Sequence, residues 1–203
     1  MQKRNNKILV VLVDMGGVLL DHELALRKTT EKLGISYKKF KSEINKIYKR
    51  CEVDGTTIDS FWRYSLDESG YKNIEVSKFK QTYDKGHKKN KKLLKLLKKL
   101  KSNGIKLGMV TNNIKGHIEE LDNIFGLVKI FNWIFDSSEM RARKPEREYY
   151  EKIWRTIKLS KNKCLFVDDN LGHVQAAAKF GFKTFHFSDF EKSNEDLAKY
   201  FKR

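Results

Sequence analysis

The sequence of 203 residues predicts an α/β fold, a three-layer Rossmann-like core with a parallel sheet and a small inserted α-helical cap. Short apolar runs without alternation are typical of strands that are buried on both faces of a parallel sheet. From about residue 90 onward, such runs alternate with helical patterns, as expected for parallel strands joined by crossover helices. Between the first run and residue 90 only helical patterns occur, which indicates an insertion.

Five apolar runs predict the strands of the sheet. In chain order they are Ile8–Val13, Ile105–Val110, Trp133–Phe135, Cys164–Val167 and Lys183–Phe187. Helical patterns between and after the later strands predict the crossover helices Asn90–Lys101, Lys115–Asn123, Glu146–Ile157 and Gly172–Phe180. The alternation predicts a core domain formed by residues 1–20 and 90–203.

Residues 21–89 are predicted to form the helical cap domain. The helical patterns in this segment cover roughly Glu23–Leu33, Tyr37–Arg50, Ile58–Leu66 and Val76–Asp84. One crossover helix is enough to join two neighbouring parallel strands. The additional helices are therefore expected to stand above the carboxyl edge of the sheet.

Charge and cysteine content indicate which partners and which cellular location to expect. Lys and Arg number 43 against 26 Asp and Glu, a net charge of +17, but the excess is spread along the chain as a solvated surface. We therefore expect no nucleic-acid partner. Two cysteines without a CxxC spacing are typical of a reducing compartment, so a cytoplasmic location is expected. The sequence does not specify an oligomeric state.

No membrane contact is expected either. The N-terminal basic start and apolar run resemble a signal peptide, but Asp14 and two glycines interrupt the run, which favours a buried strand. The basic segment Lys88–Lys101 could form a membrane-surface helix. We instead expect it to pack on the sheet through leucines on one face, namely Leu93, Leu94, Leu97 and Leu100.

Polar residues that follow the apolar runs are the candidate site. In an open α/β sheet, ligands bind at the carboxyl ends of the strands. Asp14, Thr111, Asn112, Asp168 and Asp169 are therefore expected to meet there, although they are far apart in sequence. Each of these residues alone could stabilise a turn or cap a helix, but together they predict one site.

Four segments resemble, in order and spacing, the motifs of the haloacid dehalogenase (HAD)-like hydrolase superfamily. They are Val13–Leu19, Val110–Asn113, Arg143–Pro145 and Phe166–Asn170. The position of the insertion is similar to that in the helical-cap branch, which includes epoxide-hydrolase N-terminal domains and glucose-1-phosphatase-like enzymes. Gly55 followed by Phe61 and Trp62 is a weaker similarity to the same branch.

The resemblance implies a Mg²⁺-dependent phosphatase that acts on a small phosphorylated metabolite, such as a sugar phosphate, through an aspartyl-phosphate. A carboxylate at a strand end can accept a phosphoryl group, and clustered carboxylates suit a hard cation. The resemblance makes Asp14 the nucleophile and Lys144 a catalytic residue that also contacts phosphate, beside Thr111 and Asn112. The expected ligands of Mg²⁺ are Asp14, the backbone carbonyl of Gly16, Asp168 and Asp169.

Gly16 departs from the pattern of the family. Most phosphatases of the family have a second Asp there as general acid and base, a function worth about 10²–10⁴-fold in rate. The glucose-1-phosphatase-like branch often has glycine at this position, so we expect a site built around it. His173, where relatives often have Asn, is expected to have a surface or packing role. His22 and His87 flank the cap without metal-ligand spacing.

Three alternatives remain open at this point. Phosphonate-cleaving relatives use a cap lysine as a Schiff base, and this cap contains many lysines. Halide-releasing relatives work without metal, and the retained pair Asp168 and Asp169 argues against that chemistry. If the protein has only a binding or scaffold role, Gly16 reflects the loss of catalytic turnover. The positive charge would then bind an acidic partner.

Overall fold

The computed structural model describes residues 7–201 and contains a five-stranded parallel sheet. Residues 1–6 and 202–203, which the sequence assigns to the core domain, lie outside this range. The strands are β1 (Val10–Asp14), β4 (Lys106–Thr111), β5 (Trp133–Asp136), β6 (Cys164–Asp168) and β7 (Lys183–His186). Their order in the sheet is β5–β4–β1–β6–β7. The predicted α/β class with a parallel sheet is confirmed.

Helices cover both faces of the sheet and complete three layers. Val11 and Val13 of β1 pack on one face, and Val10 and Leu12 pack on the other, because successive side chains of a strand alternate. One layer contains α5 (Lys91–Ser102), α6 (His117–Phe125) and α10 (Ser193–Tyr200). The opposite layer contains α8 (Arg147–Ile157) and α9 (Leu171–Phe180).

The basic helix α5 packs against the sheet as predicted. Leu93, Leu97 and Leu100 are buried in the core, and Leu94 is partly buried. Within the described part of the chain, none of the helices has the length and apolar character needed to cross a membrane. The lysines of α5 therefore form the solvated side of an amphipathic core helix.

Four helices are inserted between β2 (Leu20–Asp21) and β3 (Lys88–Lys89), a pair of two-residue antiparallel strands that the sequence did not predict. The inserted helices are α1 (His22–Lys32), α2 (Tyr37–Cys51), α3 (Ile58–Glu68) and α4 (Val76–Gly86). They share an aromatic core of their own, which includes Phe40, Phe61, Trp62 and Phe79. A side chain on Gly86 would lie 3.0 Å from the Ala25 backbone, so glycine allows α4 to approach α1.

Three histidines and a tyrosine pack where the inserted helices meet the core. The ring centroids of His22 and His87 are 4.8 Å apart, and those of His22 and His117 are 5.9 Å apart. Tyr83 lies against His87, with a centroid distance of 4.6 Å. Burial, followed by the neighbouring His87 and His117, lowers the pKa of His22 well below its ordinary value. We call these four residues the junction cluster.

The α5 packing predicts a large difference between two alanine substitutions on the same helix. Leu97→Ala removes a fully buried side chain and is expected to lower the free energy of unfolding by about 2–5 kcal/mol. Lys95→Ala changes an exposed residue and should stay within about 0.5 kcal/mol of the parent protein. Urea unfolding followed by circular dichroism measures both, and equal effects would contradict the packing of α5 on the sheet.

The junction cluster predicts a loss of stability in acid. Burial lowers the pKa of His87 to about 4 and that of His117 to about 3, below the ordinary value of 6.5. Between pH 6.5 and 4, the unfolded chain therefore binds protons that the folded chain does not. The free energy of unfolding falls as the pH falls, by up to about 1.4 kcal/mol per pH unit for each histidine.

His117→Gln supplies the comparison for this prediction. The variant has one fewer buried histidine, so its free energy of unfolding should depend less steeply on pH between 6.5 and 4. Urea unfolding at several pH values gives both slopes. Identical slopes for the two proteins would show that His117 is not held neutral by the fold.

Candidate active site

The polar residues predicted from the strand ends meet at the carboxyl edge of the sheet. Asp14, Thr111 and Asp168 are the last residues of β1, β4 and β6. A cavity of about 830 Å³ lies between this edge and the inserted helices. The predicted site residues that line it are Asp14, Gly16, Thr111, Asn112, Lys144 and Asp169, whereas Asp168 is fully buried beneath them.

Lys144 is the centre of the charged network. It lies between α7 (Ser137–Met140) and α8, and only 1% of its surface is exposed. Its Nζ is 2.8 Å from Asp14 Oδ1 and 2.7 Å from Asp168 Oδ2, and it donates to the Val110 carbonyl at 3.3 Å. Burial alone would lower the pKa of Lys144, but the two carboxylates outweigh it and raise the pKa. The side chain is therefore a permanent buried cation.

Three carboxylates crowd the site. Oxygens of Asp14, Asp168 and Asp169 lie within 4.8 Å of one another. Burial raises the pKa of Asp14 well above its ordinary value, and the negative charges of the other two add to the rise against the effect of Lys144. Burial would also raise the pKa of Asp168, but Lys144 and His173 lower it to about 2.

This donor set fits a divalent cation. With all three carboxylates ionised, the single ammonium of Lys144 leaves two net negative charges, which one divalent ion balances. Carboxylate oxygens are the ligands that Mg²⁺ prefers. Asp14, Asp168 and Asp169, with the Gly16 carbonyl as the expected backbone ligand, are therefore the residues that can hold Mg²⁺.

Asn112, which is predicted to contact phosphate, lines the cavity and also holds the backbone of Lys144. Its Oδ1 accepts from the backbone N–H of Lys144 at 2.8 Å, and its Nδ2 donates to the Lys144 carbonyl at 2.9 Å. A second tie comes from Arg143, which forms an ion pair with the buried Glu52 at the end of α2. The loop that carries Lys144 is thus fixed from two sides. Thr111 remains on the cavity wall as predicted.

Two adjacent glycines leave room for the site. Gly17 has a φ of +69°, and a Cβ there would overlap the carboxylate of Asp169. A Cβ on Gly16 would lie 2.9 Å from Cδ2 and 3.4 Å from Nε2 of His22. Gly17 therefore leaves space for the Asp169 carboxylate, and Gly16 leaves space for the His22 imidazole.

Sequence reasoning missed the roles of two histidines. His173 was expected at the surface or in helix packing, but its Nδ1 lies 3.2 Å from Asp168 Oδ1. Its position in the first turn of the helix after Asp169 is the signal that could have placed it at the site. His22 lines the cavity beside Gly16, and its position immediately after the first motif was the corresponding signal.

Comparisons with known proteins identify relatives with hydrolase activities. The chain is 33% identical over 98 residues to sesquiterpene phosphatase astK of Aspergillus oryzae, across 48% of this chain and 50% of the relative. It is 26% identical over 87 residues to (S)-2-haloacid dehalogenase 2 of Pseudomonas sp., across 43% of this chain and 38% of the relative. These alignments thus span half or less of the length of the curated relatives.

A solved structure shares almost the whole fold. The magnesium complex of a HAD family enzyme from Bacteroides thetaiotaomicron superposes with a TM-score of 0.79 at 20% identity, covering 97% of this chain and 99% of that chain. Residues 11–187 match the family described as haloacid dehalogenase-like hydrolase. That match covers most of the sequence and includes the strands that carry Asp14, Thr111 and Asp168. The chain belongs to the haloacid dehalogenase-like hydrolase family.

Proposed function

We propose that the protein is a Mg²⁺-dependent phosphatase that transfers a phosphoryl group from a small phosphorylated metabolite to Asp14 and then to water. The observation that carries this proposal is the contact of buried Lys144 with both Asp14 and Asp168 at the floor of the cavity. A carboxylate held in this way is a nucleophile of fixed orientation.

The residues around Asp14 define how the first step proceeds. Asp14 Oδ1 accepts from Lys144 Nζ at 2.8 Å and from the Met15 backbone N–H at 2.7 Å. Because two donors hold Oδ1, Oδ2 is the oxygen that attacks phosphorus. The ammonium of Lys144 stabilises the negative charge that develops during transfer. When bound, Mg²⁺ supplies Lewis-acid stabilisation of the phosphate oxygens.

The cavity suits a substrate with one anionic end. Its volume of about 830 Å³ is within the range of small-molecule sites. Lys41 and Lys49 of α2 line the cavity and favour an anionic substrate, and Phe61 and Trp62 contribute apolar surface. Sugar phosphates and phosphate esters of apolar alcohols both belong to this substrate class. The similarity to the sesquiterpene phosphatase of Aspergillus oryzae supports the latter group.

Carbon–halogen cleavage is the competing chemistry among the relatives. Its substrate is a carboxylate, and the floor of this cavity has two net negative charges when its three carboxylates are ionised. Without a cation, the site would repel such a substrate. The same charges favour the metal-dependent phosphatase, because a divalent ion both balances the carboxylates and binds phosphate oxygens.

A substrate panel with a nucleophile variant tests the proposed function. Phosphate release from sugar phosphates and prenyl-type phosphates is expected with Mg²⁺ and should be lost with a chelator. Asp14→Asn should abolish turnover, because an amide is a poor nucleophile and the substitution removes one ligand charge. Phosphate release that is insensitive to chelation would contradict metal dependence, and wild-type activity in Asp14→Asn would contradict the nucleophile.

Further substrates and a nucleic-acid binding assay separate the alternative functions. Turnover of 2-haloacids or phosphonoacetaldehyde, with no turnover of any phosphate ester, would replace the phosphatase by one of the other hydrolase reactions. Binding of nucleic acid that weakens steeply with salt, in the absence of any turnover, would indicate a scaffold.

Gly17 gives a sharp test of the metal-ligand assignment. In Gly17→Ala the new methyl group displaces the Asp169 carboxylate, so Mg²⁺ affinity is expected to fall at least about tenfold, the effect of about 1.4 kcal/mol of lost binding. Isothermal titration with Mg²⁺ measures the change. Asp169→Asn should weaken binding in the same direction, because it removes a ligand charge.

Gly34→Ala is the matched control. Gly34 has nearly the same φ, +67° against +69°, and apart from Gly34 and its two chain neighbours no described residue has an atom within 4 Å of its Cβ position. Both variants bear a backbone cost of roughly 1 kcal/mol, but only Gly17→Ala should lose Mg²⁺ affinity. Equal Mg²⁺ affinity in the two variants would remove Asp169 from the metal site.

A further inference from the structure

The position of the general acid and base of the reaction is occupied by glycine, and an imidazole stands beside it. The resemblance implies that an Asp two residues after the nucleophile performs proton transfer, and here that residue is Gly16. The Cδ2–Nε2 edge of His22 lies 2.9 Å and 3.4 Å from the point where a Cβ of residue 16 would stand. The ring thus fills the space that an Asp side chain would enter.

His22 faces the same cavity as the nucleophile. Both His22 and Asp14 line the cavity between the carboxyl edge of the sheet and the inserted helices. His22 begins α1 directly after β2, and the chain returns to this region through β3, which pairs with β2. The backbone on both sides of the insertion therefore holds the His22 ring beside Gly16.

A chain of hydrogen bonds determines which nitrogen of His22 carries the proton. His87 Nδ1 lies 3.2 Å from the Asp84 carbonyl, which can only accept, so this nitrogen is the donor. Burial lowers the pKa of His87 to about 4, so the ring is neutral and its Nε2 is an acceptor. His22 Nδ1 lies 2.8 Å from that Nε2 and must therefore be its donor. The free lone pair of neutral His22 is on Nε2, on the edge that faces Gly16.

We propose that His22 is the catalytic base that activates water for hydrolysis of the phosphorylated Asp14, in place of the carboxylate that Gly16 lacks. This inference rests on the proposed phosphatase function. Water loses a proton to His22 Nε2 while its oxygen bonds to phosphorus. The bond between phosphorus and the Asp14 oxygen breaks, which regenerates the carboxylate and releases inorganic phosphate. The imidazolium then returns its proton to bulk water through the cavity.

The surroundings of His22 fit a base that starts neutral. His87 and Tyr83 from the end of α4 contact its Nδ1, at 2.8 Å and 3.2 Å. His117 packs beside it from α6. The cation Lys41 approaches from α2 and is paired with Glu23 at 3.3 Å. Neutral neighbours and a nearby cation favour the uncharged imidazole before the reaction.

Separate measurement of the two half-reactions tests this role with p-nitrophenyl phosphate. Its leaving group departs without a proton, so His22→Gln should release the first p-nitrophenolate per enzyme at the wild-type rate. The steady-state kcat should fall by about 10²–10⁴-fold, because the phosphorylated Asp14 is no longer hydrolysed rapidly. Acid quenching should then trap phosphorylated Asp14. A structural role would slow both phases equally, and that result would overturn the proposal.

His117→Gln is the matched control from the same cluster. Its ring lies beside His22 but is bonded through Nδ1 to Asn113 at 2.9 Å, outside the chain that ends at His22 Nε2. This variant keeps His22 Nε2, so it should show neither a burst nor trapped phosphorylated Asp14, whatever its overall rate. A burst with trapped phosphoenzyme in His117→Gln as well would assign the effect to disturbance of the cluster and overturn the specific role of His22.

A rescue experiment keeps the proposal falsifiable if His22→Gln folds poorly. Gly16→Asp alone should lower kcat, because its side chain overlaps the His22 ring. His22→Ala removes the ring. The double variant with Gly16→Asp should therefore have a kcat at least about tenfold higher than that of His22→Ala alone. Failure of this rescue in a folded double variant would overturn the proposal.

The outcomes for the two proposals are distinct. Absence of phosphorylated Asp14 in every variant, with active wild-type protein, would remove the aspartyl-phosphate route and the role of His22 with it. Wild-type steady-state turnover in His22→Gln would overturn the role of His22 and leave the proposed phosphatase intact.

Discussion

The buried ammonium of Lys144 is the constraint on which the site depends. A cation with 1% exposure is stable only because Asp14 and Asp168 lie within 2.8 Å of its Nζ. Removing one partner from such a buried pair typically costs about 3–5 kcal/mol, since an uncompensated charge remains. The same contacts join β1, β6 and the loop before α8. The charge pairing that orients Asp14, the proposed nucleophile, therefore also holds the carboxyl edge of the sheet together.

Several neighbouring features follow from the need to place this ammonium accurately. Asn112 uses both ends of its amide to hold the backbone of Lys144, and Arg143 links the same loop to Glu52, which directly follows α2. Gly17 leaves space for the third carboxylate, Asp169. Side chains that seem available to a substrate in the sequence are thus partly used to position other side chains, because a buried charged centre requires a rigid surrounding shell.

The inserted helices complete the site rather than only covering it. They bring an aromatic core of their own, the cavity-lining lysines Lys41 and Lys49, and Tyr83 of the junction cluster to the open side of the carboxylates. The insertion also supplies His22, whose ring fills the space beside Gly16. The core has glycine where the family pattern has Asp, and the insertion places an imidazole at the same point. The proposed role of His22 thus gives the glycine a physical explanation other than lost activity.

The sequence alone determined the sheet, its helices and the set of residues at its carboxyl edge. Unbroken apolar runs identify the strands from short segments of sequence. A parallel sheet then brings the carboxyl ends of its strands to one edge, independently of side-chain orientation. Only the tertiary structure decided what individual side chains contact. Asn112 turned towards the Lys144 backbone, His173 towards Asp168 and His22 towards Gly16. The His173 contact is local, because it spans only five residues. The orientation of Asn112 depends on a loop 32 residues away, and that of His22 depends on His87, 65 residues away; no local periodicity encodes such packing.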